Sequence, residues 1–195
     1  MRATMALILL FAAFATQADP TVETPDVRWD VTQLMQRLAQ VKSAQGRFVE
    51  KKYLRILNTP LENSGTLSYQ APGHLEKHTR VPREESMILD GDSLVIENKV
   101  RGKRSLVLQD YPLLWAFIES IRSTLAGDLT TLNKFYQVKL DGDARHWNLT
   151  LLPSDAKTLE VVREIRIGGR EEWISEIEIL ETKGDRSVMT VTEDY

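Results

Sequence analysis

Two hydrophobic rhythms share this chain, and the points where one gives way to the other divide it. Val31, Leu34, Met35, Leu38 and Val41 recur three or four residues apart, which lines them up on one face of a helix. Asp30 stands ready to cap it. Gln33 occupies the capping-box position and Trp29 can staple against Leu34. From Ala44 to Leu108 the period drops to two. "GRFVEKKYLRI", "SGTLSY", "HLEKHT", "SMILD", "SLVIE" and "SLVLQ" read as short strands with turn residues between them. In the first hairpin Gly65, Leu67 and Tyr69 share a face opposite Thr66 and Ser68, and Pro72-Gly73 supplies the turn. Asp90-Gly91 turns the next one.

The helical rhythm returns at Asp110-Tyr111-Pro112, with Gly127 just past the end. Leu114, Trp115, Ile118, Ile121 and Leu125 form its stripe, widened by Leu113 and Phe117. A short helical piece is expected over Leu129–Lys134. Strands resume at Phe135. "HWNLTLL" places Trp147, Leu149 and Leu151 on one face, and "VVREIRI" follows. "EWISEIEIL" places Trp173, Ser175, Ile177 and Ile179 on one face, and "SVMTVT" is the last strand. About ten strands with two or three helices make an α+β fold around a large antiparallel sheet. A sheet that long in a chain this short should curl, and the apolar helices should lie in its concave face. No internal repeat or second domain is visible.

Residues 1–18, "MRATMALILLFAAFATQA", fall outside both rhythms. Arg2 precedes an apolar run from Ala6 to Ala15, and Thr16-Gln17-Ala18 offers a cleavage site. This is the pattern of a secretory signal, so the mature chain is expected to begin near Asp19 as one domain over residues 19–195. Of the 195 residues, 42% are hydrophobic and 27% charged, enough for a packed core. Without Arg2, one of 25 basic residues, 24 Lys and Arg face 28 Asp and Glu, a net charge of −4. With no basic stripe, nucleic acid is not an expected partner. The chain has no cysteine, so it is expected to need neither a disulfide framework nor an N-terminal lipid anchor. A monomer in the periplasm is the expectation.

Three motifs suggest chemistry. Gly91-Asp92-Ser93-Leu94 spells the GDSL esterase signature, but a serine nucleophile needs a base. The last histidine, His146, lies too early to be the late Asp-x-x-His. A hairpin turn accounts for the motif. His74, Glu76 and His78 share a strand face, yet the two histidines are ~13 Å apart there, too far to ligate one ion. No metal or cofactor is expected. Arg163 interrupts the apolar face of Val161, Ile165 and Ile167, and is expected to snorkel outward at a strand end rather than bind a headgroup. The 112–126 stripe can serve as core or as a lipid-facing lid.

"SAQGRFVEKK", "SGTLSYQAPGHL", "ILDGDSL" and "SVMTVT" occur in that order behind an amphipathic helix and a signal peptide. In this the chain resembles the LolA family of periplasmic lipoprotein carriers, most of all over residues 30–95. It looks closest to the branch associated with lipid or polyene-type clusters and large exporters. The resemblance implies an incomplete antiparallel barrel, helices over its mouth, a hollow that holds acyl chains, and no reaction or cofactor. Phe48 matches the family's first-strand aromatic, and Leu75 a cavity-facing residue after the Pro turn. With these, the expected lining is Leu67 and Tyr69, then Leu114, Trp115, Ile118 and Leu125, then Trp147, Leu149, Trp173 and Ile177.

Three positions depart from the family pattern. Phe48-Val49-Glu50 stands where Phe-x-Gln is common. Ala71 replaces the Arg that bonds the carriers' lid helices closed, so the lid is expected to open easily. The chain stops at Tyr195, where carriers run on. The leading reading is a carrier of acylated lipid, polyene lipid or lipoprotein that moves cargo between an inner-membrane exporter and an outer-membrane acceptor. A lipid or lipoprotein sensor, or a scaffold, with the same fold is the second. A hydrolase acting through Ser93 is the third.

Overall fold

The computed structural model describes residues 29–193; the signal-like segment and its lead-in lie outside them. Helix α1 (Val31–Leu38) starts where Asp30 accepts the Gln33 backbone N–H at 2.9 Å. Six strands follow: β1 (Ser43–Tyr53), β2 (Leu61–Gln70), β3 (His74–Val81), β4 (Glu85–Asp90), β5 (Ser93–Asn98) and β6 (Gly102–Val107). A 3-10 turn at Leu108–Asp110 leads into α2 (Pro112–Ala126) and α3 (Leu129–Phe135). Then come β7 (Tyr136–Gly142), β8 (Trp147–Pro153), the single turn α4 (Ala156–Leu159), β9 (Val162–Arg170), β10 (Trp173–Glu181) and β11 (Arg186–Glu193).

All eleven strands form one antiparallel sheet in the order β6-β5-β4-β3-β2-β1-β11-β10-β9-β8-β7. Its edges, β6 and β7, do not pair, so the sheet is an open half-barrel with helices against it. β1 and β11 lie side by side at its centre. The segment α2–α3 links the two edge strands and so has to cross the sheet. That crossing puts an apolar helix over the concave face.

Two packed cores result. One joins Leu34, Met35 and Leu38 of α1 to Leu132, Tyr136 and the inward side chains of β8 and β9, where Leu149, Leu151, Ile165 and Ile167 are each 0% exposed. The other is smaller and joins Ile118 to Leu89, Leu94 and Leu108. Gly127 lets α2 pass close to α1. It takes φ 66°, and a Cβ there would lie 2.1 Å from the Met35 carbonyl oxygen.

Several local expectations shift. β1 ends at Tyr53 rather than continuing to Ile56. The sixth strand lies earlier than "SLVLQ", because Leu108 is fully buried and bonds back to the Asp92 carbonyl as the chain turns toward α2. Val41 lies beyond the last turn of α1. In β10 a register shift between Ile174 and Glu176 breaks the expected alternation and brings the buried Ile174 into the concave layer beside Trp173 and Ile177. The one-turn α4, capped by Asp155, has no apolar period to announce it.

Candidate functional site

Between the two cores the concave face is not filled. A hollow of about 530 Å³ lies there, within the ~300–1,000 Å³ usual for small-molecule sites. Strand alternation builds its wall. Opposite one another across the ladder stand Ala44, Tyr69, Leu75, Leu89 and Leu94, and in the next row Gly46, Leu67, Lys77 and Met87. On the far side Ile177 faces Met189 and Ile179 faces Ser187.

α2 supplies the roof, and its burial pattern is unusual. Its most buried positions include Glu119, Ser120, Ser123 and Thr124, each at most 3% exposed. Phe117, Ile121 and Leu125 are only partly buried and border the hollow with Ile118. The buried polar groups are satisfied locally. Ser120 and Thr124 donate to the carbonyls of Phe117 and Ser120, both at 2.6 Å. Glu119 accepts from Trp115 Nε1 at 3.1 Å, from Ser123 Oγ at 3.0 Å and from Arg122. Tyr136, buried among the helices, donates to the Ala116 carbonyl, and burial pushes its hydroxyl pKa far up. A helix that buries its polar side and leaves part of its apolar side at the border of a space is built to face something apolar there.

Of the twelve residues expected to line the hollow, seven border it: Leu67, Tyr69, Leu75, Ile118, Leu125, Trp173 and Ile177. The other five are packed elsewhere. Phe48 is buried beneath Lys77, whose Nζ lies 4.8 Å from the ring centroid. Leu149 and Trp147 belong to the larger core, Trp147 pressed onto Gly169 and donating to the Glu171 carbonyl at 2.9 Å. Leu114 and Trp115 pack against the smaller core, with Trp115 edge-on to Phe135.

Glu50, noticed in the sequence only as a departure from a family motif, also borders the hollow, as do Lys52, Lys77 and Ser187, which sequence reasoning passed over. The signal was available, because alternation from Phe48 carries Glu50 and Lys52 to the same face. Burial alone would raise the Glu50 pKa, but Lys77, Lys52 and Ser187 outweigh it and hold the carboxyl below its ordinary value.

Ala71 sits in the β2–β3 turn, its backbone bonded to the Lys42 carbonyl. The helix is tied from its own side instead. Arg122 Nη1 reaches the Gly91 carbonyl at 2.6 Å, in the turn between β4 and β5. Ser93 is exposed at the start of β5, and among the described residues its side chain bonds no histidine. His74 and His78 each bond a different oxygen of Glu76, at 2.9 and 2.8 Å, and these bonds lower the Glu76 pKa. Among the described residues no group of His, Cys, Asp or Glu is arranged to hold a metal. Arg163 is exposed near the start of β9.

The family model for outer membrane lipoprotein carrier protein LolA-like chains matches residues 24–192. An outer-membrane lipoprotein carrier protein of Pseudomonas fluorescens is 22% identical over 185 residues, spanning 95% of this chain and 83% of its own. One from Pseudomonas putida is 22% identical over 163 residues, spanning 81% and 73%. Among solved structures, a LolA superfamily protein from Nitrosomonas europaea aligns over 85% of this chain and 93% of its own at 9% identity, with a TM-score of 0.43. A chain of the Pseudomonas aeruginosa MucA/MucB complex aligns over 85% and 56% at 14% identity, with a TM-score of 0.46. With the family model covering nearly the whole described chain, this protein belongs to the LolA-like family of outer membrane lipoprotein carrier proteins.

Proposed function

We propose that this chain is a periplasmic carrier. It holds the acyl chains of a lipid or lipoprotein in the hollow and delivers them toward the outer membrane. Residues 1–18 act as the signal peptide, and residues 19–195 form the carrier domain, working as a monomer between an inner-membrane exporter and an outer-membrane acceptor. One observation carries the reading. The roof helix inserts Ile118 into the smaller core but leaves Phe117, Ile121 and Leu125 only partly buried at the border of an apolar space. Hydrocarbon entering that space gains ~25 cal/mol per Å² of apolar surface removed from water. No reaction, metal or cofactor is required. Among the described residues no helix is long and apolar enough to cross a membrane, which accords with a carrier that leaves the bilayer.

The test is export of the full chain, detergent-free purification from the periplasm, and mass spectrometry of an organic extract. The reading expects an N-terminus near Asp19 and an acyl-bearing molecule in amounts comparable to the protein. Full-length chain retained on the membrane, or an extract no richer in acyl molecules than that of an unrelated periplasmic protein, would overturn it.

A further inference from the structure

An apolar chamber has no need of charge in its wall, yet this wall carries an ion-pair cluster. Glu50 on β1 is 5% exposed. Its Oε2 accepts from Lys77 Nζ at 2.9 Å and from Asn63 Nδ2 at 3.4 Å. Its Oε1 accepts from Ser187 Oγ at 2.9 Å and lies 3.5 Å from Lys52 Nζ. Glu50 is the buried member, while the Lys77 and Lys52 side chains are 25% and 45% exposed, and part-exposed pairs of this kind add little to stability. A cluster kept at the surface of a hollow therefore points to something the hollow receives.

The hydrogen-bonding inventory says what. Four groups surround the Glu50 carboxylate, so its acceptor capacity is taken up. Each lysine ammonium has three protons; Lys77 spends one on Glu50 and Lys52 is held near it by charge, so the capacity left facing the hollow is donor capacity. Two cations against one anion also leave the cluster one positive charge in excess. The lining also carries the acids Glu76, Glu172, Glu181 and Asp185 and the cation Arg186; Glu76 is bonded by His74 and His78 on the other strand face, and the other three acids stand at strand ends and turns. Glu172 lies 4.0 Å from Arg37, and Asp185 accepts the Arg55 backbone N–H. A second observation is independent of the cluster. The Tyr69 hydroxyl is buried in the wall of the same hollow and has no hydrogen-bond partner among the described residues. A pure hydrocarbon occupant would leave it unpaired, at a cost of about 1–3 kcal/mol.

We propose that the hollow takes an acyl amphiphile with an anionic head, which seats against Lys52 and Lys77 while Glu50 holds the two ammonium groups in position. Tyr69, six residues from Asn63 along β2 and so ~20 Å from the Glu50 row, meets a different part of the occupant. The inference rests on the acyl-chamber reading and narrows it to one ligand class. A carboxylate and a phosphate both meet the chemistry.

Four single-chain amphiphiles of equal length separate the possibilities: a fatty acid, an alkyl phosphate, a fatty alcohol and an alkylamine. Each competes with a neutral fluorescent apolar probe for the mature protein. The acid or the phosphate, or both, should displace the probe at concentrations about fivefold or more below the alcohol, with the amine weakest. Which of the two anions is better identifies the head. Lys52→Gln, which leaves the Glu50–Lys77 bond intact, should shrink the preference severalfold. Glu50→Gln combined with Lys77→Met and Lys52→Gln should abolish it without weakening the alcohol, and thermal melts confirm that each variant is folded. If the alcohol matches the anions, or the preference survives the triple variant, the anionic-head assignment is wrong and the chamber reading stands. If wild-type protein binds neither the probe nor any of the four, the chamber reading falls and this inference with it.

Discussion

Strands β8 and β9 and strands β2 to β4 lie in one continuous sheet and present similar aliphatic side chains on the same face, but only the first pair is sealed. Leu149, Leu151, Ile165 and Ile167 are fully covered by α1, α3 and their neighbours. Leu67, Leu75 and Met87 remain partly open to the hollow. The difference comes from what stands opposite. α1 offers Leu34, Met35 and Leu38 and inserts them all, whereas α2 contributes Ile118 to the smaller core and leaves Ile121 and Leu125 bordering space. The same apolar pattern can thus be a core or a chamber wall, and the partner helix decides which.

Truncations should split along this line. Leu149→Ala removes fully buried hydrocarbon and should cost about 2–5 kcal/mol. Leu67→Ala, facing the hollow, should cost about 1 kcal/mol or less, because little packed contact is lost there. Denaturant unfolding of both variants measures the gap, and equal losses would dissolve the distinction between core and wall.

The ion pair in the wall should behave as a unit. Lys77→Met leaves Glu50 buried without its closest partner and should destabilise by about 1–3 kcal/mol. Adding Glu50→Gln should recover most of that loss, which a double-mutant cycle reads out. The folded-state pKa of Glu50 is depressed, so its contribution is fully present above the ordinary carboxylate value of 4.5 and is lost as the pH falls through the folded value. Unfolding measured on acidification should show a shallower decline in the Glu50→Gln/Lys77→Met protein than in wild type.

The roof has a tie of its own. Arg122→Ala removes the bond to the Gly91 carbonyl and takes the cation from the buried Glu119, and should also cost about 1–3 kcal/mol. Amide exchange should quicken in α2 and leave β8 and β9 unchanged. Ser93→Ala should alter stability by less than about 0.5 kcal/mol and leave probe binding as it was. Loss of an esterase turnover in that variant would reinstate the hydrolase reading.

Periodicity made most of the fold legible. The caps at Asp30 and Gly127 and most of the strand alternation have local causes and appear where the sequence places them, with β10 broken by its register shift. Sheet length and helix apolarity placed the helices in a concave face, and family resemblance added that the sheet stays open. The site was less readable. Alternation found Leu67, Tyr69 and Ile177, but it cannot say whether an inward residue meets a helix or a void, which is how Trp147 and Leu149 joined the expected lining. The Glu50–Lys77 contact joins residues far apart in sequence, and Glu50 was visible only as a departure from a family motif. The tie from Arg122 to the β4–β5 turn was likewise hidden, since the Gly91 carbonyl it reaches is a backbone group that no side-chain pattern marks.

The claim that α2 roofs a binding chamber meets its most direct test on the helix itself. A neutral fluorescent apolar probe is titrated into wild-type protein, Ile121→Asp and Leu113→Asp, with thermal melts of each. Ile121 borders the hollow, and Leu113 is exposed on the same helix, so the two variants add the same charge to different surroundings. The account predicts that Ile121→Asp weakens binding by roughly tenfold or more with its melting temperature largely kept, because a carboxylate would face hydrocarbon without a partner. Leu113→Asp should bind as wild type does. Equal affinity in all three proteins, or loss of binding in Ile121→Asp only as the protein unfolds, would show that α2 is ordinary core and contradict the account.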